Sequence, residues 1–237
     1  MNWNPPQHTS NSCFANSLFV ALTVTPSGAM RRLWRPCVSH TLWKRLRRRL
    51  YESGGTWDLA GSLFAFWRSH TDLLDRRFPA GETGDPVFLL ETLLELSVPR
   101  EEREQLWAGQ HPSGIVFTSL VYCPRTERYF TPQTLSDGEP WRNAPSDLTR
   151  VRGLVISSAV PRQTPQGSTH YRCVFRAPRA MIARSGVTWW LYDDLTTEPV
   201  PVPVENPWIV VSASQALLYV RRPYVVLLVA YPEARSV

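Results

Sequence analysis

Three side chains, far apart in the chain, are of the types that together activate a thiol: Cys13, His170 and Asp193. Cys13 stands in Asn11-Ser12-Cys13-Phe14-Ala15-Asn16-Ser17-Leu18, where Asn11 or Ser12 can cap a helix. A cysteine in the first turn feels the positive end of the helix dipole, which lowers the thiol pKa and favours the nucleophilic thiolate. His170 opens one predicted strand and Asp193 closes another. If those strands pair as an antiparallel hairpin, imidazole and carboxylate meet at one end of a sheet. The acid then holds the ring's tautomer while the other nitrogen faces the thiol. Taken singly, each feature has a plainer reading. A cysteine opening an apolar helix is commonly a small buried hydrophobe, and Asp193-Asp194 alone is a strand-ending turn. Their occurrence together, in the order Cys, His, Asp, points to nucleophilic catalysis.

The elements that must position these groups are legible from periodicity. Phe14, Leu18, Ala21 and Leu22 line one face of a helix predicted over Cys13 to about Thr23. Further helices are expected over roughly 41–52 and 58–70, from Asp85-Pro86 through Leu96, and briefly from Pro99. From Gly114 onward the chain is short, β-branched or aromatic runs bounded by Pro, Gly, Asn or Ser. These predict strands at 115–122, 151–157, 170–175, 188–192, 208–212, 217–221 and 224–230. Pro199-Val-Pro201-Val-Pro203 suits an edge or polyproline segment, because proline cannot donate to a central ladder. Helices first and strands second predict an α+β fold, read as one domain over 1–237 with a helical lobe (1–110) and a β lobe (111–237). A cleft between the lobes is the natural site.

Composition narrows the class. Of 237 residues, 43% are hydrophobic and 19% charged, which argues against disorder. The 21 prolines are scattered, which excludes a coiled coil or long helical array. The start, Met1-Asn2-Trp3-Asn4-Pro5, has neither basic nor apolar signal-peptide character. No apolar run approaches the ~18 residues that span a bilayer, so no membrane partner is expected. The four cysteines have no paired spacing, which fits a reducing, intracellular compartment, cytoplasmic or nuclear. Cys37-Val-Ser-His40 could supply two metal ligands, but no second pair accompanies it, and no metal or other cofactor is expected.

The net charge of +6 is almost wholly arginine, Lys44 being the only lysine. Eight basic residues fall within 31–49, interleaved with Trp34 and Trp43. The segment reads first as an amphipathic helix, with Leu42, Leu46 and Leu50 on one face and a solvated basic face opposite. An acidic protein or nucleic acid is the alternative partner.

Several segments resemble the ubiquitin-specific proteases, papain-like cysteine peptidases that cleave after the C-terminal glycine of ubiquitin. Cys13-Phe14-Ala15-Asn16-Ser17 is similar to the family's cysteine box, and His170-Tyr171 to its Gly-His-Tyr box. Trp189-x-x-Tyr192-Asp193-Asp194 is similar to the Trp-x-x-Phe-Asp-Asp that follows, and Leu217-Leu218-Tyr219-Val220-Arg221 to the strand near the family's C-terminal end. More weakly, Asp85-Pro86-Val87-Phe88-Leu89-Leu90 resembles a helix written Asp-Ala-x-Glu-Phe-Leu. The matches cover some forty residues, in the family's order.

The resemblance implies a papain-like fold with a helical thumb and an antiparallel β palm. Cys13 is then the nucleophile, His170 its base, Asp193 the residue orienting His170, and Asp194 a supporting or substitute carboxylate. Substrates would be conjugates of ubiquitin or a ubiquitin-like modifier. The departures are specific. The family's oxyanion asparagine falls at His8, leaving Gln7 or Asn11 as substitute donors, with Gln7 favoured. Thr169 replaces the glycine before the histidine, beside Tyr171, where the modifier's Gly-Gly end must thread. Phe88 replaces the helix glutamate that reads the modifier's tail, leaving Asp85 as the acidic candidate. Cys123 stands alone where members often carry two Cys-x-x-Cys pairs, so the fingers subdomain is expected to be reduced and without zinc. These changes leave room for a modifier other than ubiquitin, and for two alternatives: a modifier-binding pseudo-protease, or an OTU-like cysteine peptidase.

Overall fold

The computed structural model describes residues 12–23, 48–49, 76–78, 84–112, 115–123, 128–130, 151–160, 168–196, 200–202 and 224–230. Four helices are labelled here: α1 (Cys13–Thr23), α2 (Pro86–Ser97), α3 (Arg100–Ala108) and α4 (Arg179–Ser185). The strands are β1 (Val116–Cys123), β2 (Arg128–Phe130), β3 (Val151–Val160), β4 (Ser168–Arg176), β5 (Trp189–Tyr192), β6 (Val200–Val202) and β7 (Tyr224–Ala230). The fold is α+β.

Local chemistry sets the helix ends. Asp85 caps α2, its Oδ1 accepting from the backbone N–H groups of Val87 at 2.7 Å and Phe88 at 3.0 Å, and Pro86 occupies the first turn where its missing N–H is harmless. Helix α3 stops at Gly109, whose φ of 72° is the left-handed conformation that glycine takes at little cost.

The strands form one antiparallel sheet in the order β2-β1-β7-β3-β4-β5-β6. The last of the described strands, β7, lies between β1 and β3, so the sheet closes only when distant segments meet. Proline-bounded β6 takes the edge, as its sequence requires. Along β4, Tyr171, Cys173 and Phe175 alternate into a core that they share with Tyr192 of β5.

Helix α1 packs on β4 and β3 and also touches α2, while α3 packs on β1. Cys13, Phe14, Leu18 and Leu22 therefore join the same core as Leu89, Leu90, Leu93 and Leu94 of α2 and Phe117 of β1. Helix and sheet share one interior, with α1 between the sheet and α2.

The structure adds elements that the sequence pattern did not suggest. Helix α4 interrupts the β-rich half, so β4 and β5 pair across a helical connection rather than a tight turn. Strand β2 is three residues long, too short to carry a period. The helices expected over 41–52 and 58–70 lie largely or wholly outside the described residues, as do the strands at 208–212 and 217–221.

Candidate active site

Helix α1 begins at Cys13, so the thiol sits in the turn whose backbone N–H groups lack helical acceptors. That end carries partial positive charge and favours an anion. The side chain is 3% exposed.

His170 approaches from β4. The β4–β5 register sets Tyr192 opposite Cys173. The first residue beyond β5, Asp193, thus comes level with Arg172 and within reach of His170. His170 Nε2 lies 2.8 Å from Asp193 Oδ1 and 3.8 Å from Asp194 Oδ1, so Asp193 makes the hydrogen bond. Asp193 Oδ1 also accepts from the backbone N–H of Leu195 at 3.0 Å. Cys13 lies close enough to His170 to favour the protonated form of its ring. Since Nε2 faces Asp193, Nδ1 is the ring nitrogen left for sulfur. In the neutral ring, Nε2–H donates to the carboxylate and Nδ1 can accept the thiol proton.

The charges agree with this arrangement. Burial opposes protonation of His170, which is 7% exposed, but the hydrogen bonds to Asp193 and Cys13 and their negative charge outweigh it. The imidazole is pushed up to about 9. Burial also works against ionisation of Asp193, yet the hydrogen bonds from His170 and Leu195 and the charges of His170 and Arg172 bring its carboxyl below the ordinary value. The pair can therefore hold an imidazolium against the Asp193 carboxylate.

Stability should follow with a definite sign. His170 binds its proton more tightly when folded, so its contribution is complete below the ordinary value of 6.5 and lost as pH rises through about 9. That of Asp193 is complete above the ordinary 3.8 and lost as pH falls through its lowered value. Thermal unfolding across pH should show the pair's support complete between 3.8 and 6.5 and falling above that.

The same three residues could be asked to hold a metal, since ligand atoms of His170, Asp193 and Asp194 lie within 4.8 Å of one another. A ring nitrogen that donates to Asp193 cannot also offer a lone pair to a cation. Metal binding would require breaking the 2.8 Å bond.

Other sequence-predicted residues are placed as follows. Tyr171 is buried beside the site, and burial, followed by the negative charges of Asp85 and Cys13, raises its phenol above the ordinary value. Asp85 is committed, through Oδ1, to capping α2. Thr169 pairs in register with Ala159 of β3. Gln7, His8 and Asn11 lie outside the described residues, as do residues 31–47; Arg48 and Arg49 are helical and exposed.

Two residues to which the sequence assigned no role of their own lie on α1 with Cys13. Asn16 Nδ2 donates to Ser12 Oγ at 3.0 Å and to Asp194 Oδ2 at 2.8 Å. Ser17 Oγ donates to the Tyr171 carbonyl at 3.0 Å, tying α1 to β4. Their signal was present: polar residues set among Phe14, Leu18 and Phe19 on a helix buried on all sides need partners.

Packing also constrains Cys13. A Cβ added at Gly84 would overlap the ring of Phe14, the residue after Cys13. That ring is buried and stacks on Phe78 with centroids 5.7 Å apart, so moving it disturbs a packed neighbour. Gly84→Ala should cost about 1–3 kcal/mol in chemical denaturation, as overpacking does, and should slow alkylation of Cys13.

No helix among the described residues is long and apolar enough to cross a membrane. The chain matches no protein-family model, and a search of curated proteins returns no match.

Proposed function

We propose that the protein is a papain-like cysteine isopeptidase, a divergent relative of the ubiquitin-specific proteases, that cleaves after the C-terminal glycine of ubiquitin or a ubiquitin-like modifier. The observation that carries this reading is the set of groups at His170: Asp193 at 2.8 Å on Nε2, and Cys13, at the start of a helix, close enough to raise the ring's pKa. The family resemblance of the cysteine, histidine and Asp-Asp segments supplies the substrate class.

His170 takes the Cys13 proton through Nδ1, and the thiolate attacks the carbonyl carbon of the modifier's last glycine. The resulting oxyanion is met by the backbone N–H of Cys13, free of helical acceptors; Gln7, outside the described residues, is the side-chain donor the sequence favours. Imidazolium returns its proton to the leaving lysine amine as the C–N bond breaks, leaving a thioester. Water, deprotonated by His170, then attacks the thioester carbonyl, and the thiolate leaves and is reprotonated. Asp193 keeps the ring's tautomer throughout and stabilises its charged form.

Incubation with ubiquitin and several relatives, each bearing a C-terminal electrophile, tests the reading. An adduct of one modifier's mass on Cys13 is expected. Absence of any adduct across the panel would sink it. A second reading, modifier binding without turnover, is favoured by Phe88, which is 41% exposed on α2 where the family carries an acid. Saturable binding of a modifier with no cleavage of its fluorogenic conjugate would select that one.

A further inference from the structure

We propose that Asn16 is a positioning residue that holds the Asp193-Asp194 corner, and with it the acid partner of His170, in register with Cys13 by clamping it to α1. The inference rests on the thiol chemistry proposed above, not on the identity of the modifier.

Asn16 follows Cys13 by one helical turn, so the two side chains share a face of α1. It is fully buried, and Asp194 is 1% exposed. Both N–H bonds of its amide have defined acceptors, Ser12 Oγ at 3.0 Å and Asp194 Oδ2 at 2.8 Å. The amide nitrogen must face Asp194, because an ionised carboxylate only accepts. A donor to a buried carboxylate is among the stronger hydrogen bonds.

This bond completes a ring of contacts. Cys13 leads along one turn to Asn16, Asn16 bonds Asp194, Asp194 is joined to Asp193, Asp193 bonds His170, and His170 meets Cys13. Ser17 fastens α1 to β4 through the Tyr171 carbonyl, but β4 carries only His170. The Asn16–Asp194 bond ties the helix bearing the nucleophile directly to the corner bearing the acid. If it is broken, the corner can shift and carry the imidazole's partner with it. Small displacements of a catalytic group are enough to cost about 100-fold.

The test uses the full chain and the pH dependence of Cys13 alkylation by iodoacetamide, with Cys13→Ala as the blank. Asn16→Asp is isosteric but sets two carboxylates against each other, so it should slow alkylation near neutrality by about 10- to 100-fold and move the thiolate inflection upward. Asn16→Ala should do the same. The exchange Asn16→Asp with Asp194→Asn restores a donor facing an acceptor and should recover most of the rate and the parental inflection. Parental rate and profile in Asn16→Asp would overturn the proposal, and so would a loss that the exchange leaves unrepaired. If Asn16→Ala does not fold, the isosteric pair decides. Alkylation requires no modifier, so a clamp seen here in a chain that no modifier probe labels would reject the substrate class and keep the clamp.

Discussion

Cys13→Ala should abolish the covalent modifier adduct and lower conjugate hydrolysis by about a millionfold, the scale seen when a catalytic nucleophile is deleted. The size of the effect follows from the site's construction. In the proposed mechanism the helix N-terminus, His170 and Asp193 all act through the sulfur, and among the described residues no other thiol lies at a helix start beside His170. Cys173 supplies the control. It is fully buried in the same core, in register opposite Tyr192, and has no place in the relay. Cys173→Ala should keep the adduct and lose only modest stability, since a single small group is removed. Mass spectrometry of the labelled chain distinguishes the two. An adduct that survives Cys13→Ala would place the nucleophile elsewhere and end the assignment. Both variants should be folded by circular dichroism, because Cys13 is a small residue at a helix end.

The parts of this arrangement that the sequence announced are those set by local chemistry. Helix α1 starts and ends where its apolar spacing predicts, α2 begins at the Asp85-Pro86 signal, and β7 covers the expected 224–230. His170 and Asp193 could be brought together on paper because antiparallel neighbours were assumed, and β4 and β5 are such neighbours. What connects them was not legible: Arg179–Ser185 is a seven-residue helix, shorter than two turns, and so brief a run displays no helical period. Sheet order was equally hidden, because the insertion of β7 between β1 and β3 is a property of distant pairing, not of any window of residues. The role of Asn16 escaped for a different reason. In sequence it is a polar residue near a helix start, where turn chemistry is the usual explanation. Only the packing of α1 against the sheet turns it inward, onto an acid 178 residues away.

Asp193→Asn should retain the fold, slow turnover by about 10²- to 10⁴-fold, and move the alkaline limb of turnover downward from about 9. In the parent, the limb marks loss of the imidazolium that protonates the leaving amine. Burial opposes that cation, and the Asp193 hydrogen bond is the first of the effects that overcome it. An amide keeps the shape but not the charge. It can also present its N–H₂ to Nε2, which forces the proton onto Nδ1 and removes the acceptor that Cys13 needs. Both faults reduce the fraction of enzyme poised for attack. The stability profile should change with them. In the parent, support from His170 is complete below 6.5 and declines toward about 9, because the folded state binds the proton more tightly. In the Asp193→Asn variant the folded-state value of His170 falls back toward 6.5, so the decline should flatten while the acid-side loss from Asp193 disappears. Asp194→Asn, whose acid sits 3.8 Å from Nε2, should leave the alkaline limb closer to the parent's, and its damage should come through the bond to Asn16. Paired pH–rate and pH–melting profiles for the two variants separate these roles. If Asp193→Asn and Asp194→Asn shift the limb equally, the assignment of Asp193 as the orienting acid fails.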